Sequence, residues 1–155
     1  MTMAQLRTLI ADQRGTAVIE MALAAPILAV LLVGMIDISN AYSKKLQLEQ
    51  AAQRTIERAQ QVSQPTDTLF LATLQAEAVQ AGGAGTTAVV DFWLECSGTR
   101  AATFQTGCAD GTTPARFVTV DITGKYTPMF ANVRFQGSNT DGSYTMHGKA
   151  GLRMQ

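Results

Sequence analysis

The stretch Arg14–Ile36, RGTAVIEMALAAPILAVLLVGMI, decides how the rest of the chain is read. From Thr16 to Ile36 its one ionisable side chain is Glu20. A hydrocarbon layer of about 30 Å takes about 20 apolar residues at 1.5 Å of rise each, so the run is long enough to span a bilayer. Ten of its residues are Val, Ile or Leu. At roughly −0.3 to −0.6 kcal/mol apiece they contribute about −3 to −6 kcal/mol towards insertion. Glu20 costs roughly 2.5 to 3.5 kcal/mol if it behaves like Asp at the bilayer centre, and less one turn inside a helix end. Insertion wins, and the expectation is a transmembrane helix over residues 16–36.

The spacing around the carboxylate carries more. Gly15, four uncharged residues and then Glu20 ahead of the apolar run resemble the processing site of type IV prepilins. The continuation Glu20-Met21-Ala22-Leu23-Ala24-Ala25-Pro26 resembles the start of the TadE-like family, small pilin-like proteins of the tight-adherence (Flp pilus) secretion system. There a Glu-Phe-Ala-Leu start reaches a proline six residues after the glutamate, and Met21 stands here in place of the aromatic. The resemblance implies a minor pseudopilin that takes part in assembling Flp/type IVb pili. Its partners would be other pilins, the tight-adherence inner-membrane machinery and a prepilin peptidase that cuts between Gly15 and Thr16. It also implies that Glu20 pairs with the N-terminal amine of a neighbouring subunit and sets the register between them. On the residues alone, Glu20 is also read as a side chain that snorkels to water at the membrane face.

Composition narrows the rest. The 155 residues leave room for one small domain beyond the anchor. Twelve Lys and Arg balance twelve Asp and Glu, and no basic cluster exceeds Lys44-Lys45. Nothing here makes the electrostatic footprint of a nucleic-acid binder. Cys96 and Cys108 read as a disulfide if the domain leaves the cytoplasm, and as two unpaired thiols if it does not. Arg7 and Arg14 precede the span and Lys44 and Lys45 follow it, so basic residues barely favour a cytoplasmic N-terminus. The cysteines break the tie. The expected arrangement is single-pass in the inner (cytoplasmic) membrane, N-terminus inside, C-terminal domain in the periplasm.

In chain order, residues 1–15 are a leader or a cytoplasmic tail. Pro26 falls inside the span, removes a helical hydrogen bond and should kink the helix. Ala22, Ala24, Ala25, Ala29 and Gly34 make a small-residue surface suited to close helix approach, or are ordinary composition. The helix should continue as an amphipathic periplasmic segment over 37–62, because Ile38, Tyr42, Leu46, Ala52, Ile56 and Ala59 recur near a 3.6-residue period. From Thr16 to about Gln61 that is one helix of about 70 Å. Residues 63–155 then form a periplasmic α+β domain. Ser63-Gln64-Pro65-Thr66 breaks the chain, Thr66 or Asp67 caps a second short helix, and Gly82 to Gly85 stops it. From Thr86 the period changes to two. Val90, Phe92, Leu94 and Cys96 oppose Asp91, Trp93 and Glu95; Val118, Val120 and Ile122 oppose Phe117, Thr119, Asp121 and Thr123. A loop over 97–107, a short helix or covering loop from Pro128 to Phe135, a turn at Asn139–Gly142 and a last strand from Tyr144 to Met154 complete the domain. The expected fold class is α+β and pilin-like, a long N-terminal transmembrane-plus-amphipathic helix packed on a small antiparallel sheet, with a second short helix.

No residue pattern points to catalysis, to a cofactor or to a metal. His147 is the one histidine and falls on the polar face of the last strand. Asp91, Glu95, Asp110, Asp121 and Asp141 are scattered rather than spaced as a metal loop. Partners are therefore expected to be proteins and membrane lipid, with no nucleic acid. Two other readings are a periplasmic binding module that the apolar run only tethers, and a domain released by signal peptidase after Ser39-Asn40-Ala41.

Overall fold

The computed structural model describes residues 14–61, 68–102, 104, 107–129 and 136–154. Two helices and four strands follow in the order α1 (Arg14–Gln60), α2 (Thr68–Gly82), β1 (Thr87–Cys96), β2 (Thr99–Arg100), β3 (Pro114–Tyr126) and β4 (Tyr144–Met154). The fold class is α+β, with a long apolar N-terminal helix, a short second helix and an antiparallel sheet of four strands in the order β2-β1-β3-β4. The chain divides into two compact units, Met1–Ser39 and Asn40–Gln155.

The second unit has one core. From α1 it takes Leu48, Ala51, Ala52, Thr55, Ile56 and Ala59, the i, i+3, i+4 spacing of a single helix face. Leu74 and Ala78 of α2 and Ala88, Val118, Val120 and Ile122 of the sheet complete it. The buried hydroxyl of Thr55 donates to the Ala51 carbonyl at 2.9 Å, so its polarity is satisfied within the helix. The two alternating faces expected for β1 and β3 are found, with Val90 and Phe92 packed on the core and Leu94 fully buried.

Part of the expected stripe on α1 is corrected. Ala52, Ile56 and Ala59 are buried, but Ile38, Tyr42 and Leu46 are exposed, at 73%, 64% and 38%. The reason is angular. Each residue advances a helix by about 100°, so steps of four drift by about 40°. Tyr42 and Leu46 stand one and two such drifts round the helix from the azimuth that Ile38 shares with Ile56, off the buried face, and Ile38 itself belongs to the first unit. Leu48, two residues past Leu46, takes the central place instead.

One residue sets how closely α1 lies on the sheet. A Cβ added to Gly148 of β4 would stand 2.2 Å from the backbone carbonyl of Leu48, well inside any van der Waals contact. Gly148 thus lets helix backbone meet strand backbone, and the alanines of α1 keep that approach flat. The Lys44 ammonium donates to the carbonyl of Gly82 at 3.2 Å, and Lys45 donates to the carbonyl of His147 while pairing with Glu49 at 3.0 Å.

The sequence predicts a loop over residues 97–107, and its first residues instead form a hairpin. Ser97 and Gly98 both have positive φ, 50° and 84°, the two-residue turn whose twist suits antiparallel strands, and β2 follows at once. A disulfide joins Cys96 to Cys108 across 5.6 Å between Cα atoms, closing the loop. A ring of this size stabilises a domain by about 3 kcal/mol when loop entropy dominates. β3 starts at Pro114, three residues before the alternation of Phe117 becomes legible. The predicted break at Ser63–Thr66, the cap at Thr66 or Asp67 and the apolar run Phe130 to Phe135 lie outside the described residues.

Candidate functional site

Three places on the chain carry enough exposed chemistry to act on something else. The first is α1 before Ser39. Its apolar residues are open: Val18, Leu23, Ile27, Val30 and Leu32 are each more than half exposed. Thr16–Gln60 holds a window of mean hydropathy 2.4, none of it buried, which makes α1 long and apolar enough to cross a membrane. Glu20 projects from this helix with its side chain exposed, one turn after Thr16. Gly15 and Thr16, the predicted processing pair, lie in the first turn of α1, and Met1–Gln13 lies outside the described residues. Pro26 sits within α1, which continues as helix on both sides of it.

The second place is the sheet face away from the helices. Trp93 stacks on Phe117, with centroids 5.3 Å apart and planes 15° from parallel. The Arg100 guanidinium lies 5.1 Å from the indole centre and pairs with Asp91 at 3.0 Å. The indole N–H donates to Glu95 at 2.8 Å. Both faces of the indole are therefore in use, one by a ring and one by a cation, and this row serves the sheet as a cross-strand ladder. Further along, Asp121 meets His147 Nδ1 at 3.0 Å and Lys149 at 2.9 Å. Burial raises the proton affinity of Asp121, but the hydrogen bonds from Lys149 and His147, with their charges, outweigh it and hold the carboxyl below its ordinary range. Thr123 Oγ1 lies 3.2 Å from the same Nδ1 atom. A hydroxyl-imidazole-carboxylate relay needs its partners on different ring nitrogens, so this cluster is no nucleophile triad.

The third place is the pair of clefts between α1 and α2. One, of about 330 Å³, is lined by Arg54, Thr55, Arg58, Glu77, Gln80 and Ala81. The other, of about 460 Å³, shares Arg58 and Glu77, which close on each other at 3.1 Å. Among the described residues that line them there is no histidine, no cysteine and no carboxylate besides Glu77. Among the described residues no three His, Cys, Asp or Glu stand together to hold a metal ion.

The structure joins Cys96 to Cys108, and it keeps Glu20, Pro26 and the Gly15-Thr16 pair together on α1. His147 belongs to the sheet's outer face, with Asp121. Lys44 and Lys45 were legible only as charges beyond a span, yet they tie α1 to the ends of α2 and β4. A signal that could have found this contact is Gly148, since a glycine inside a strand marks a close backbone approach.

No curated protein and no solved structure matches this chain. The family match covers the first of the three places and runs on along α1 as far as residue 56. Residues 15–56 match the sequence model of the family described as TadE-like protein, so the segment that carries Glu20, Pro26 and the exposed apolar helix is TadE-like, as its motif implies.

Proposed function

We propose that the chain is a minor pseudopilin of the TadE-like kind, taking part in assembly of Flp/type IVb pili by packing its membrane helix against those of other pilins. One observation supports this above the rest: the TadE-like match overlies the helix whose apolar side chains the rest of the chain leaves uncovered. A helix hidden in its own core has nothing to offer a neighbour, whereas this one presents apolar surface on all sides. Small residues among Ala22–Gly34 let a second helix approach closely in lipid. Glu20 then sets axial register by pairing with the amine of a neighbour whose chain begins at Thr16 after a prepilin peptidase cuts behind Gly15. The domain lies in the periplasm, an oxidising compartment in which the Cys96–Cys108 bridge persists. The activity is association, not turnover.

Intact-mass measurement of the protein from a strain with its own peptidase is the test. A mature chain starting at Thr16, together with loss of pilus assembly in Glu20→Gln, is the expected result. Full-length chain and unimpaired assembly by Glu20→Gln would leave a tether holding a periplasmic binding module.

A further inference from the structure

Most charges of the domain are spent on each other, and the few left over stand at its surface. Among the described residues from Asn40 on, Arg54, Glu57, Asp110 and Arg153 are the charged side chains that make no hydrogen bond, ion pair or ring contact, and all are exposed. Two of them stand in shaped surroundings. Arg54 lines the cleft of about 330 Å³ between α1 and α2, together with Arg58 and Gln80. Glu77, the one carboxylate among the described residues that line it, is spent on the Nε of Arg58 at 3.1 Å. The cleft therefore keeps a net positive charge, with one whole guanidinium and the outer nitrogens of a second. Such groups hold a carboxylate by two parallel hydrogen bonds.

Asp110 is the matching shape. It holds the second position of a tight turn in which the Thr112 N–H donates to the Ala109 carbonyl at 3.1 Å, and Gly111 takes the positive φ, 84°, at the third. Two ties hold this turn from outside. The Cys96–Cys108 bridge fixes the chain before it, and the Thr113 carbonyl accepts from the Ser97 N–H at 3.0 Å after it. Ala109, Asp110 and Gly111 are exposed, so a carboxylate stands on a small pre-formed knob that loses little freedom on binding. Turn and cleft of one chain lie well apart. The turn leads into Pro114, whereas Gly82, beside the cleft at the end of α2, lies against Ile122. These two places on β3 are about 26 Å apart at about 3.3 Å per residue.

We propose that the Asp110 turn of one copy of this chain enters the cleft of Arg54 and Arg58 on a second copy, with the carboxylate between the two guanidinium groups. The other two unpaired charges do not offer this fit. Glu57 is not among the residues that line the cleft, and Arg153 stands opposite Phe117 on the open face of the sheet. Each copy has one turn and one cleft on different surfaces. A copy that gives its turn to one neighbour can therefore take the turn of another, and the contact can run on through a row of copies. It uses neither Glu20 nor the anchor and goes beyond the function proposed above.

The test is photocrosslinking of the full-length chain in its own membranes, with p-benzoylphenylalanine in place of Gln80, which is exposed at the cleft wall. The expected product is a covalent dimer whose crosslinked peptide, identified by mass spectrometry, contains Asp110. Asp110→Arg alone and Arg54→Glu alone should each lower its yield about fivefold or more, and the two reversals in one chain should restore it to within about twofold. Arg153→Glu should leave the yield unchanged. No dimer, a crosslink to another peptide, or a yield that the single reversals leave intact would overturn the proposal. So would a loss that the double reversal does not repair, or one that Arg153→Glu produces as well.

Discussion

The two halves of α1 treat their apolar residues in opposite ways. Before Ser39 the helix carries large aliphatic side chains in every direction, and none of those described is buried. After Asn40 the residues it buries are mostly small ones, Ala51, Ala52 and Ala59 around Leu48 and Ile56, gathered on one face, while Tyr42 and Leu46 stay exposed. Large residues all round suit a solvent that is itself apolar. Small residues on one stripe suit a neighbour that must come close, and Gly148 is the place where it comes closest. The same 3.6-residue period thus serves two surroundings, and side-chain size separates them better than hydropathy does.

Breaking the second half should have the larger effect. Gly148→Ala drives a methyl group into the Leu48 backbone and should cost about 3 kcal/mol or more, the upper range for overpacking, since backbone cannot rotate away as a side chain can. Denaturant unfolding of the detergent-solubilised chain measures it. Gly34→Ala, with nothing within 4 Å of the new Cβ, is the control and should leave the midpoint unchanged.

The first half should fail in a different way. Leu28→Arg replaces a residue 53% exposed and touches no core, so unfolding of the domain should not change. Membrane partition should, by about 3 to 4 kcal/mol, from a favourable leucine to an unfavourable arginine at the helix centre. Alkaline extraction of membranes distinguishes the two, and a domain that unfolds more easily while staying in the membrane would contradict this division.

The smallest effect sharpens the outer face. The Asp121 carboxyl sits below its ordinary range when folded, so it stabilises the fold above the unfolded value, about 3.9, and that contribution disappears as pH falls through the lower folded value. Asp121→Asn should therefore flatten the loss of stability on acidification below about pH 4, and barely alter the acid response if Lys149 and His147 are not its true partners. The pair is a third or more exposed on both sides, so the change in slope will be modest.

Much of this chain was legible before its fold was known, for reasons that lie in short spacings. A run from Thr16 to Ile36 with one charge announces a helix long and apolar enough for lipid, and Gly15, Glu20 and Pro26 carry its resemblance to the TadE-like family. Strict alternation through Phe92 and Leu94, and through Val118, Val120 and Ile122, announces strands with one face buried, because a period of two has no other use. Which face of α1 the sheet would take was not legible. Tyr42 and Leu46 are as apolar in the text as Ile56, and only the sheet, which meets α1 closely at Gly148, selects the face of Leu48 over the opposite face of Leu46. Nor could the sequence place β2, whose two residues exist because Ser97 and Gly98 turn tightly enough to lay Thr99 back on Cys96. Local order follows from periods that a single strand of text can carry; the meeting of helix and sheet depends on shape at a distance, and that is decided where the backbones touch.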